Sequence, residues 1–380
     1  MNHKILTVIL IIPLLMSCKS ENSNKHIPPK MSGKQKDMYH ERLDKSIDIE
    51  KSLANLERKT LKQEGPVEKI DLGDVPIDTV NVTLPEEITI PKMVETENYW
   101  YVYNARLSPS DSNIAKYDKQ GNLKKLFAGK GKGPNEVISI SAIAEKDYKT
   151  YVANDANIKV FNRNDQMINQ LNLFVWPKDI SLTTDTYDIR TFANEVFSFP
   201  LYIYDINTDT LAATIKDRRE DIYNFQSSDN TTYFSNDSTI IYAKTPSAQL
   251  HFFSKEKMEF SAHYQINADF IRKNDVKPLA DRPSKSRFYS FFNELFLLDR
   301  IHLYENRLFV TFVDNKKDTH YLIVADLSDA KGQDEILFKA YELTDVFKIV
   351  HFYNDHMYKN DPEPGEREMP VYTLPLSYFL

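Results

Sequence analysis

Beyond residue 66 the apolar residues fall in short runs, such as 99–103 (YWYVY) and 239–243 (TIIYA), separated by polar turns every 6 to 12 residues. The runs are rich in β-branched and aromatic side chains, which suit a pleated, packed surface. No stretch beyond residue 66 keeps a 3.6-residue period for four turns, so this part reads as all-β. A longer period is superimposed. Strands ending in a turn recur at 114–118 (IAKYD), 158–162 (IKVFN), 201–205 (LYIYD) and 250–254 (LHFFS), with starts 44, 43 and 49 residues apart. A fifth copy at 321–326 (YLIVAD) follows a longer gap, which an insertion around 267–286 fills. Turns (119–121, 163–165, 207–209) and further strands (123–127, 167–173) come after the copies. Four strands in roughly 45 residues is the size of a propeller blade. Five copies plus strands at 346–352 and 370–379 predict a six-bladed β-propeller over 66–380. An N-terminal strand at 67–72 or 78–84 would close the ring and remove its open edges. Both faces of a blade are covered by neighbours, which accounts for 22 Phe and 22 Tyr. The competing reading is a β-sandwich with accidental periodicity.

Residues 19–65 differ. They are rich in Lys, Glu, Asn and Ser, and Tyr39 is their sole aromatic. Tyr39, Leu43, Ile47, Leu53, Leu56 and Leu61 recur mostly three or four apart, and Gly65-Pro66 is a stop signal. The expectation over 18–65 is a charged, solvated, partly helical stalk, with a partner-docking helix as the sharper alternative.

The chain opens with a basic His3-Lys4, then eleven nearly all-apolar residues, 5–15, interrupted by Thr7 and Pro13. That is too short to cross a bilayer, which needs about 20 helical residues, so 1–17 reads as a signal peptide. Residues 15–18 (LMSC) resemble the bacterial lipobox. The resemblance implies cleavage before Cys18 and its acylation with palmitate-like chains, making the membrane a partner through a lipid anchor. At ~0.8 kcal/mol per buried methylene, two or three chains attach stably. Cys18 is the sole cysteine, so the mature protein has no disulfide. The net charge of −7 argues against nucleic acid, which wants a basic stripe.

Residues 129–136 (GKGKGPNE) follow the last strand of the first predicted blade, after 117–121 (YDKQG). Together they resemble the six-bladed β-propeller lipoproteins of Bacteroidetes, related to NHL-like and TolB-like propellers. There a strand ending D-x-x-G leads through another strand to a G-x-G-P-x-E turn. Asn135 stands where a glycine is common, a mild departure because Asn tolerates positive φ. The resemblance implies an envelope protein of the outer membrane. Residues 19–24 carry one acidic group and poorly match the acidic surface-export signal of that phylum, so periplasmic and surface faces both stay open. Related propellers mostly bind other molecules, and a minority are enzymes.

Gly129, Gly131 and Gly133 are three of nine glycines, within five residues. With Pro134 and Glu136 they read as a structural turn needing positive φ between blades. Lys130 and Lys132 suggest an anion site instead, but the P-loop ending Gly-Lys-Ser/Thr is missing. His351 and His356 lack metal-ligand spacing, and His251 and His263 read as a packed pair on neighbouring strands. No Gly-x-Ser-x-Gly elbow is present. The acidic 361–368 and basic 282–287 read as solvated loops. No metal or cofactor is expected. The leading reading is a binding or scaffold module for a protein or carbohydrate. The alternatives are a metal-dependent lactonase- or lyase-like enzyme using Asn104, Asn154 and Asp155 where inner strands turn, and a glycan-binding component of an uptake system.

Overall fold

The computed structural model describes residues 33–380 apart from 71–74, 90, 105–111, 174, 192–198, 218–230, 245–247, 273–289, 292, 329, 331, 344–350 and 361–365. Cys18 and the 282–287 loop lie outside the described residues, as do most of the 267–286 insertion and of the strand expected at 346–352.

Six antiparallel four-stranded arrays follow one another among the described residues, spanning 91–127, 140–172, 177–216, 231–267, 296–343 and 351–375. The last is completed by an N-terminal strand, Asp78–Thr83, paired antiparallel with Glu368–Pro375. Of the two closing strands expected, 78–84 is thus the one used. Glu68–Lys69 instead pairs with the edge of the fifth array. The fold is a β-propeller. Six apolar clusters, one at each junction between successive arrays, make up its core. The junction of the sixth with the first joins Val82, Tyr358, Met369 and Val371 to Met93, Trp100, Val102 and Tyr117. Closure therefore rests on side chains from both ends of the described chain.

The repeating strand found in the sequence is the third of each of the first five arrays. It is legible because apolar neighbours cover both its faces: Ile114–Tyr117 is buried throughout, and Tyr321 to Ala325 likewise. The hairpin from third to fourth strand carries a bulge in each of the first four arrays. In the first three, Asp118, Asn162 or Asp205 accepts two backbone N–H bonds through one side-chain oxygen. Such Asx bonding fixes a turn locally, and the bulge adds twist.

Residues 33–63 correct the stalk reading. The described segment holds a helix α1 (Gly33–Asp44), a strand β1 (Ser46–Asp48), a short helix α2 (Ile49–Leu53) and a strand β2 (Arg58–Gln63), so it is partly helical as expected but packed on the propeller instead of solvated. β1 adds in parallel to the outer strand of the third array. β2 lies between the outer strands of the fourth and fifth arrays, parallel to both. The segment is a belt around the outside of the propeller. Its six apolar positions serve three junctions in turn: Tyr39 and Leu43, then Ile47, Leu53 and Leu56, then Leu61, which is fully buried. No single helical face could reach all three.

Candidate functional site

First strands form one edge of each array, and those of the second to fifth arrays lie against one another in turn. Toward the end where the chain crosses between arrays, these strands bring charged side chains together. Lys92 comes from the first array, Asp179 from the third, Arg300 from the fifth and His351 from the sixth; Arg190, on the second strand of the third array, joins them. Bulges at Lys178 and Asp299, immediately before Asp179 and Arg300, re-aim the side chains of their strands.

Asp179 is taken by Arg190, whose Nη2 donates to Oδ2 at 3.2 Å. Nη1 of Arg190 donates to the Thr231 carbonyl of the fourth array, while its Nε has no partner. Arg300 is different. Its Nε is buried without a hydrogen bond, and the Asp299 carboxylate stands off at 3.8 Å. Lys92 forms no ion pair with any described residue. Burial lowers its pKa, and Arg300 lowers it further against the opposing pull of Asp179. His351 stacks on Tyr358 with centroids 5.3 Å apart. Burial, then Arg300 and Lys92, push its pKa down to about 3, so the imidazole is neutral at physiological pH. Two residues beyond Arg300, His302 stacks on Phe352 at 5.2 Å and meets Phe234 edge-on at 5.2 Å. Charge thus gathers at one level of the axis and aromatic rings at the next.

The glycine-rich loop lies off the axis, at the crossing from the first to the second array. Gly129–Lys130 pairs in parallel with Glu136–Val137. Glu136 folds back so that its carboxylate accepts the Gly133 N–H at 2.7 Å. A Cβ on Gly131 would stand 2.1 Å from Glu136 Oε2, and one on Gly133 2.9 Å. Close approach of this carboxylate, more than backbone handedness, is what the glycines permit. Of the three, Gly131 alone has positive φ, at +157°, whereas the non-glycine Ala128 sits at 64°. Pro134 is exposed at the tip. Beside the loop is an open cavity of about 270 Å³, lined by Lys132, Ile138, Asn154, Asn157, Lys159 and Gln170. The Lys159 ammonium already donates to the carbonyls of Gly133 and Glu136, at 2.6 and 2.5 Å. Glu136 and the neighbouring Lys159 are thus engaged within the protein, while Lys130 and Lys132 are exposed.

Asn104 and Asn154 do not converge on a common centre. Each ends a second strand and holds the incoming crossover of its own array. Asn104 Oδ1 accepts from Thr89 N, and Asn154 Oδ1 from Ile138 N and Ser139 N. Asp155 is the turn residue after Asn154, at φ 51°. His251 and His263 face each other across neighbouring strands with ring centroids 4.7 Å apart. His351 reaches the axis, whereas His356 reaches Glu95 Oε2 at 2.7 Å. No group of three metal-ligating side chains exists among the described residues, and no described helix is long and apolar enough to cross a membrane.

Sequence reasoning missed the axial cluster. Its members are isolated charges scattered over some 260 residues, on first strands that differ in how many charged residues they carry and, for Arg190, on a second strand, so no local pattern flags them.

No protein-family model and no curated protein matches the sequence. Solved structures do resemble the fold. A Bacteroides fragilis protein described as exported has TM-score 0.55 and 9% identity, over 84% of this chain and 99% of that one. A member of the DUF4221 family from Bacteroides vulgatus has TM-score 0.53 and 12% identity, over 78% and 96%. BamB from Moraxella catarrhalis has TM-score 0.43 and 8% identity, over 78% and 100%. At these identities the likeness speaks for the fold alone.

Proposed function

We propose that the chain is an exported lipoprotein of the cell envelope, held at the membrane through Cys18, whose six-bladed propeller is a binding and scaffold module. The observation that carries this is the axial gathering of charged side chains from four arrays on a rigid ring. Charge placed at the axis without full pairing disfavours folding, and convergent polar groups of this kind are a mark of recognition sites. The lipobox-like 15–18 and the short apolar 5–15 support the anchor, and the fold-level likeness to a Bacteroides protein described as exported agrees with it. The belt suits a tethered role: chain arriving from the anchor is laid along three arrays before the propeller begins, so a pull on the anchor is spread over several strands.

The test combines fractionation with cross-linking in native membranes. The wild type is expected in the membrane fraction with acyl chains on Cys18 by mass spectrometry, cross-linked to a discrete partner. Cys18→Ala is expected in the soluble fraction. A wild type without lipid, or a Cys18→Ala variant that still sediments with membranes, defeats the anchor.

A further inference from the structure

We propose that the axial cluster is a binding site for the oxyanion group, carboxylate or phosphate, of a small molecule, held by Lys92 and Arg300 with Arg190 and His351 alongside. The inference rests on the binding-module reading and deepens it by naming the ligand chemistry.

Three cations, Lys92, Arg190 and Arg300, face two carboxylates near the axis. Asp179 is engaged by Arg190. Asp299 is 3.8 Å from Arg300, too far for a hydrogen bond. The guanidinium of Arg300 therefore makes no side-chain hydrogen bond with a described residue, although its Nε is shielded from solvent. Lys92 is partly buried and has no carboxylate of its own. Arg300 is close enough to disfavour the charge on Lys92. Elsewhere the chain pairs its buried cations tightly, as Lys255 with Asp188 at 2.6 Å. Placing two like charges together, one with no ion pair to a described residue and the other with a single loose one, opposes folding, and a bound anion removes that opposition.

The donors fit such a ligand. A guanidinium presents a planar fork that matches carboxylate or phosphate oxygens, and an ammonium adds a mobile point charge. A neutral imidazole at His351 contributes one N–H without adding repulsion. Beside the cluster, Phe352 (next to His351) stacks on His302 (two residues beyond Arg300), and Phe234 meets His302 edge-on. The charged end of a small molecule reaches the cluster, and the rings offer an apolar contact to the rest of that molecule.

The experiment is calorimetric titration of the detergent-solubilised full-length chain with inorganic phosphate and, separately, citrate, at constant ionic strength set with chloride. Arg300→Gln and Lys92→Gln remove axial charge, and Lys132→Gln is the control on the off-axis cavity. We expect saturable binding of at least one anion at one site per chain, with the tighter of the two identifying phosphoryl or carboxylate preference. Each axial variant should weaken it by about tenfold or more, as loss of a charge-assisted bond implies, and Lys132→Gln should leave it unchanged. Melting temperatures of the axial variants without ligand should equal or exceed the wild type, because repulsion is relieved; a purely structural cluster predicts a fall. Absence of saturable binding, binding indifferent to Arg300 and Lys92, or binding lost in Lys132→Gln overturns the site. If neither anion binds while the native-membrane cross-link persists, the axial site falls and the scaffold reading stands.

Discussion

The two ends of the propeller handle charge in opposite ways. At the end bearing the turns between first and second strands and between third and fourth, charges are paired across junctions. Glu95 of the first array takes both Lys119, at 2.7 Å, and His356 of the sixth, at 2.7 Å. Asp165 of the second array takes Lys116 and Lys125 of the first, at 3.0 and 3.2 Å. Asp188 of the third takes Lys255 and the Ser235 hydroxyl of the fourth. These bonds act as clasps between neighbours. The axial level near the crossovers holds similar residue types, yet Lys92 has no ion pair with a described residue and Arg300 only a loose one, to Asp299 at 3.8 Å. The sequence thus has the means to neutralise a buried cation and uses it where nothing need bind. On the proposed reading, the difference separates charge that builds the ring from charge kept available for a ligand.

The largest effect that tests this contrast is loss of a clasp. Asp188 is fully buried and accepts from Lys255 Nζ, Ser235 Oγ and Thr186 Oγ1. Asp188→Ala strands the Lys255 ammonium in a site where burial already lowers its pKa, with Asp188 the chief opposing influence. The expected cost is about 3–5 kcal/mol, read as a lower denaturant midpoint with unchanged slope. An Asp188→Ala midpoint no lower than that of Arg300→Gln would erase the distinction between the two ends.

Titration sharpens the contrast at a smaller amplitude. His351 at the axis falls to about 3 and His302 to about 4, in each case chiefly through burial. Unfolded, both protonate near 6.5. As pH falls below about 6.5 the unfolded chain binds protons that the native chain refuses, so stability is lost down to about pH 3–4. His356 runs the other way. Burial lowers its pKa, but hydrogen bonds to Glu95 and Asp355 outweigh burial and leave it raised. Its contribution is fully present below about 6.5 and fades as pH rises through its folded value. In melting profiles from pH 5 to 8, His356→Gln should therefore fall furthest below wild type at the acid end and approach it at the alkaline end. His351→Asn should lose less than wild type on acidification. Parallel profiles for all three proteins would mean that neither histidine is perturbed as the contacts imply.

How much was legible follows the same division. The propeller could be read because its third strands are covered on both faces and so are nearly continuous apolar runs, from 114–117 to 321–325. The belt was misread because its pattern is set by three separate surfaces. In Arg58–Gln63 only Leu61 is buried, and the other positions are polar, so nothing in the segment alone signals a strand. The axial site was hidden for a related reason. Lys92, Asp179, Arg300 and His351 each look like an ordinary polar position, and only closure of the ring brings them together. The glycine-rich loop was found by composition, but the reason for its glycines was a carboxylate contact that no backbone rule reveals.

That loop supplies the smallest effect and places a third region on the scale. Like the clasps and unlike the axis, its buried side is satisfied internally, Glu136 by the Gly133 N–H and the adjoining Lys159 by two carbonyls, while Lys130 and Lys132 stay exposed. An added methyl at Gly131 meets Glu136 Oε2 at 2.1 Å, and φ of +157° adds some backbone strain. The carboxylate is the far end of a flexible side chain, so it can swing away, giving up its hydrogen bond. Gly131→Ala should therefore cost on the order of 1–3 kcal/mol, not unfold the protein. Glu136→Ala alone removes the same bond and should cost about 1 kcal/mol. If the clash is the main cause, the double variant Gly131→Ala/Glu136→Ala should be clearly less destabilised than the sum of the singles, because the methyl then has room; sites in direct contact couple in this way. Additive losses would assign the cost to backbone strain. Phosphate should not shift the melting temperature through this loop in any of the three, and a phosphate stabilisation that disappears in Lys132→Gln would move the loop from the group of internally satisfied regions to that of ligand sites.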